Sequence, residues 1–191
     1  MSWMNKNSGV KAPTRSTSAE GKQGGGSFFK NGDKANFIIE RISMKSSDNA
    51  NVIEKHGKEG ADNYVNIMWR INAHESGRES KSVVFQNLYI LSEDAERASK
   101  DVQFLATICT LAEAQGVDGI YADIIEADEL PDDNMLADLT GTKAGAVVGV
   151  MEQKGRDPST FIRNIHEEYV FEDNATSGAV AGSGRRRSRN I

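Results

Sequence analysis

Residues 64–71, Tyr-Val-Asn-Ile-Met-Trp-Arg-Ile, alternate strictly: Val65, Ile67, Trp69 and Ile71 fall on one side, Tyr64, Asn66, Met68 and Arg70 on the other. Successive strand side chains point to opposite faces, so this stretch reads as a strand with one face in a core and the other in a polar setting. Period-two alternation also fixes register, because a slip of one residue would expose Trp69 and bury Arg70. The chain is therefore committed to a sheet packed on one side.

The neighbouring segments extend that sheet. Residues 35–45 (ANFIIERISMK) mix β-branched and aromatic residues with polar ones. After a polar stretch around Glu75-Ser76-Gly77-Arg78, residues 82–91 (SVVFQNLYIL) supply the second arm of a hairpin. Residues 46–63 are polar and contain glycine, and read as a long loop. Val102, Leu105, Cys109 and Ala112 then recur at helical steps, with Ser92 or Ser99 as a cap and Gly116 as a stop. An acidic, irregular stretch covers 117–140, with a short helix expected after Pro131. Two further extended segments follow, 144–151 (AGAVVGVM) and 160–171 (TFIRNIHEEYVF).

Three strands, one helix and two strands predict an all-β domain with one helix: a five-stranded, OB-fold-like Greek-key barrel with the helix between strands 3 and 4. Its expected limits are residues 28–172. Residues 1–27 (rich in Ser, Gly, Lys and Asn) and 173–191 cannot bury enough surface to offset ordering entropy, and read as disordered basic arms.

Charge follows the same division. Residues 1–34 hold six Lys/Arg against Glu20 and Asp33, and residues 175–191 hold Arg185, Arg186, Arg187 and Arg189 with no acid. Each end is thus +4, and a total of -5 leaves -13 on residues 35–174. An acidic body carries two basic tails, the pattern of interaction arms or of solvated ends. No apolar run reaches the ~20 residues of a membrane span. The opening residues lack an apolar secretory stretch, so a cytoplasmic location is expected, the host's if the chain is viral. Cys109 is the only cysteine, which excludes an intrachain disulfide and fits a reducing compartment.

Catalytic and cofactor motifs are missing from the chain. His74-Glu75 and His166-Glu167-Glu168 lack the second histidine of a metalloprotease helix, and His56 stands in the polar loop, so no metal site is expected. Gly21 to Ser27 has the letters of a phosphate loop in the wrong order, and reads as a linker. Gly141, Gly145 and Gly149 form no dinucleotide fingerprint. The acids from Asp123 to Asp138 match no calcium loop, although a metal-dependent nuclease would use such a cluster. The expectation is a protein without enzymatic activity or cofactor.

What remains is a sheet face. Binding single strands without strong sequence preference needs cations for phosphates and flat rings for bases. Phe37, Arg41, Ser43 and Lys45 share one side of the first strand by parity; Tyr64 and Arg70 do so on the second; Lys81, Phe85 and Tyr89 on the third. Lys154 and Arg156 fall in the last strand-strand loop, and Arg163 on the final strand. Trp69 belongs to the apolar side.

Taken in order, YVNIMWRI, the Gly-Arg turn with SVVFQNLYI, the helix VQFLATICTLAEAQG, LADLTGTKAGAVVGV and the closing FIRNIHEEYVF resemble phage-encoded single-stranded-DNA-binding proteins of the OB-fold type. The resemblance spans roughly residues 28–171 and includes a step before the fourth strand, Leu136, Leu139, Gly141 and Lys143. It implies binding of single-stranded DNA in replication, recombination or repair, with Lys143 added to the candidate site. It also implies replication or recombination proteins as partners and leaves a homo-oligomer open. Such proteins commonly end in an acidic recruitment tail, whereas this chain ends in GRRRSRNI, which would instead add phosphate contacts. The competing expectation is a structural or assembly module whose basic tails bind an acidic partner.

Overall fold

The computed structural model describes residues 28–78, 80–153 and 156–171, without the side chains of Gln153, Arg156 and Asp157. The elements run β1 (Lys34–Lys45), α1 (Ala50–Asp62), β2 (Tyr64–His74), β3 (Val83–Leu88), α2 (Ala95–Ala114), a π-helical turn (Ala122–Glu126), α3 (Asp133–Ala137), β4 (Lys143–Gln153) and β5 (Arg156–His166). Among the described residues no helix is long and apolar enough to cross a membrane. The expected tails and Lys154 lie outside the described residues.

The five strands form one antiparallel sheet in the order β3-β2-β1-β4-β5. The expectation of a closed barrel is corrected at one seam: β3 and β5 approach each other, but no ladder joins them among the described residues. Val65, Ile67, Trp69 and Ile71 all face the core, as the alternation requires. Phe37, Ile39, Val84, Leu88, Ala144, Ala146 and Val148 join them, and the Phe37 and Trp69 rings meet edge-on at 6.5 Å.

Helix α2 seals this side with Leu105, Ile108, Cys109 and Ala112, all buried. Its cap is Asp94, neither of the serines expected: the carboxylate accepts from the backbone N–H groups of Glu96 and Arg97. The short helix after Pro131 is present, capped in the same way by Asp132. Its Asp133 accepts from the Met44 backbone N–H at 2.7 Å and ties α3 to β1. Asp132 and Asp133 therefore have structural work.

Two differences from the sequence reading have local causes. Residues 50–62 form α1 where a loop was expected. Asn49 caps it, and Gly57 breaks it with φ 75°, a backbone conformation that suits glycine. The helix buries His56, Gly57, Gly60 and Ala61, so it packs through small residues and one imidazole, without the apolar stripe that would announce it. The second difference is a pair of bulges in β1–β2 pairing, at Asn36/Phe37 and at Ile39/Arg41. The second leaves Glu40 unpaired and reverses the parity of β1. Phe37 and Ile39 point inward on one side of it, Ile42 on the other. Phe37, expected beside Arg41, is thus a core residue, fully buried.

Candidate nucleic-acid interface

Directly paired residues of an antiparallel ladder share a face, so the register maps the outer surface of β1-β2-β3 row by row. One row is Arg41, Met68 and Phe85; the next is Ser43, Asn66 and Asn87. Below them run Lys143, Ile38, Arg70 and Val83, the first drawn from β4. Above, Lys45 pairs with Tyr64, whose ring lies 5.1 Å from that of Tyr89. Arg41, Lys45, Tyr64, Arg70, Phe85, Tyr89 and Lys143 therefore converge on one surface.

The bulge is what makes this convergence. Were Glu40 paired in a regular ladder, with no bulge, Arg41 and Lys45 would share a face with Phe37 and turn into the core. With it, Arg41 is exposed and has no carboxylate partner among the described residues. Arg70 Nε lies 3.6 Å from Glu40 Oε2, with both side chains about half exposed. Such a pair contributes at most about 1 kcal/mol, so a phosphate can take Glu40's place at little cost. Phe85 is 54% exposed on the edge strand β3, unusual for a phenylalanine on a strand. The Asn66 amide donates to Asn87 Oδ1 at 2.7 Å, giving the face a polar row between its aromatics.

Tyr89 is less available than its parity suggested. His56 of α1 stacks on its ring at 3.7 Å with 5° between the planes. The His56 Nδ1 lies 3.1 Å from Ser92 Oγ, and the Glu93 N–H donates to the His56 carbonyl. Burial, with Lys55 and Arg97 nearby, pushes the imidazole below its ordinary value. Burial also raises the Tyr64 phenol, with Tyr89 adding to it. The sequence carried no signal for His56, because nothing marked α1 as a helix.

The remaining expected residues lie elsewhere. Lys81 is exposed just before β3 and continues the parity of Phe85. Arg163 is exposed on β5, where its Nη2 donates to Asn31 Oδ1 at 2.8 Å and its guanidinium lies 5.5 Å from the Phe161 ring centre. Arg156 is on β5, with its side chain outside the described atoms. After β5 the chain crosses the lower end of the outer face: Asn36 and Tyr169 exchange two 2.8 Å hydrogen bonds, and Asn72 donates to Glu168. This strap bounds the surface below the Arg70 row.

One constellation away from the face has the order of a hydrolase triad. Asp33 Oδ2 is 3.1 Å from His74 Nε2, and Ser76 Oγ is 2.7 Å from His74 Nδ1. The partners explain it structurally. The Ser76 N–H also donates to Nδ1, Arg78 Nε donates to Ser76 Oγ, and Asp33 Oδ2 accepts from the Lys30 N–H. His74 is a buried tie between the segment before β1 and the turn after β2. Among the described residues no three His, Cys, Asp or Glu gather as a metal site. Cys109 is fully buried, and its thiol is pushed up to about 12 by desolvation. Compared with known proteins, the chain matches no family model and no curated protein.

Proposed function

We propose that this chain is a single-stranded-DNA-binding protein without enzymatic activity, using the outer face of β1-β2-β3. The observation that carries the reading is the register, which brings Arg41, Arg70, Lys45 and Lys143 together with Phe85 and Tyr64 on one surface. Cations hold phosphates and rings stack bases, each stack contributing about 1–3 kcal/mol. The acidic remainder of the body repels DNA elsewhere and confines the strand to this face.

The strand order supports an OB-type sheet. The order β3-β2-β1-β4-β5, with its two edges brought together, follows that of a small five-stranded barrel opened between strands 3 and 5. In such folds the face of strands 2 and 3 receives oligonucleotides, and Phe85 and Arg70 stand there. The resemblance to phage proteins adds DNA replication, recombination or repair as the setting, in a host cytoplasm.

A salt titration of binding to labelled oligothymidine, duplex DNA and RNA tests the reading. Single-stranded DNA should bind best, with log Kd rising steeply with log salt. No binding at low salt would refute it. A large, fixed assembly seen by light scattering in that case would favour an assembly module instead.

A further inference from the structure

A groove of about 1030 Å³ occupies the unlaced seam between β3 and β5, floored by α2. Phe85 lines this groove and also belongs to the β1-β2-β3 face, at its β3 edge, so the two surfaces are continuous there. We infer that the groove is a second nucleotide subsite, into which a single strand passes over Phe85 after crossing the sheet. This inference rests on the function proposed above and extends it around the edge of the sheet.

Three features fit a nucleotide there. On the far wall, Arg163 is bonded to an amide oxygen, not to a carboxylate, and lies beside Phe161, pairing a cation with a ring. That pair rests over Gly149, where a Cβ would collide with the Phe161 ring, so the bare backbone is what lets it lie flat. Gln86 lines the groove, and its Oε1 is buried with no hydrogen-bond partner among the described residues. A buried carbonyl without a donor is costly, and a rotation of the Gln86 side chain that turns this oxygen into the groove would let a base amine or imide N–H satisfy it.

The acids along the α2 wall are already neutralised. Asp101 accepts from Arg97 Nε and from the Tyr89 N–H, each at 2.7 Å, and Glu96 is paired with Lys100. The apolar wall includes Met151, which is 52% exposed, and the partly buried Phe104. An aromatic and aliphatic cleft with a cation at its end suits a base and its phosphate.

Oligothymidines of about 4 and about 16 nucleotides span the range of strand lengths that one such sheet covers. The short one fits the β1-β2-β3 face alone; the long one reaches the groove. In the full-length protein, Arg163→Glu and separately Met151→Glu, both at exposed positions, should weaken the 16-mer at least tenfold and leave the 4-mer unchanged. Thermal melting checks that each variant folds. If neither variant changes the ratio of the two affinities, the groove is not part of the path, while 4-mer binding keeps the face intact. If the unaltered protein binds neither length, both readings fall.

Discussion

Replacing Phe85 by alanine separates a binding surface from a structural one, because the ring has little to do in the free protein. Phe85 is 54% exposed, so a little under half of it is buried. Full burial of a phenylalanine side chain is worth about 1.5–3 kcal/mol. The expected loss of stability is therefore about 1 kcal/mol, a fall of a few degrees in Tm. A base stacked on the ring contributes about 1–3 kcal/mol, so the Kd for oligothymidine should rise about 5- to 150-fold. Fluorescence anisotropy at fixed salt, with Tm measured in parallel, gives both numbers. Phe85→Tyr, which keeps the ring, should restore most of the affinity. Unchanged affinity in Phe85→Ala, with the variant folded at the assay temperature, would refute base stacking on Phe85.

Other outcomes follow from the same geometry. Phe37→Ala should behave in the opposite way, losing about 3–5 kcal/mol of stability by denaturant melting, because Phe37 is fully buried against Trp69. Removing both charges in Arg41→Ala/Arg70→Ala should flatten the slope of log Kd against log salt by about 1.4, at about 0.7 per phosphate contact. That double variant should also weaken binding more than deletion of the last seven residues; the reverse would move the site to the tail. The imidazole of His56 titrates below its ordinary 6.5, so its contribution to stability is complete above that pH and is lost as pH falls through the lower folded value. His56→Phe, which keeps a ring on Tyr89, should then gain in Tm relative to the unaltered chain as pH drops below 6.5. The Cys109 thiol should resist iodoacetamide at pH 8 in the folded protein and react fully in denaturant, since burial both hides it and holds it protonated.

The parts of the fold legible in the sequence are those where side-chain period and burial agree. Val65, Ile67, Trp69 and Ile71 alternate and are buried, and β2 with its β3 partner could be read directly. The apolar stripe of α2 and the Pro131-Asp132 start of α3 were legible for the same reason. Parity fails where the backbone adds a residue. Phe37 and Arg41 are four apart, an even spacing that puts them on one face of a regular strand, but the Glu40 bulge between them sends one into the core and the other to the surface. Nothing in single-sequence periodicity marks such an insertion.

Helix α1 was hidden for a different reason. It packs through His56, Gly60 and Ala61 and is broken at Gly57, so its buried side has almost no hydrophobic signal. Its consequence for the site, the imidazole stacked on Tyr89, was hidden with it. Arg70, Tyr64 and Phe85 were legible as a set because β2 and β3 pair without a bulge. The open seam beside β5 depends on contacts between strands distant in sequence, which local pattern does not carry.

Backbone-amide chemical-shift mapping during titration with oligothymidine tests the central claim most directly. The account predicts that shifts concentrate at Arg41, Ser43, Met68, Arg70 and Phe85, on three strands that only the register brings together. Shifts confined to α3 and the strap after β5, with those five amides unmoved, would contradict it.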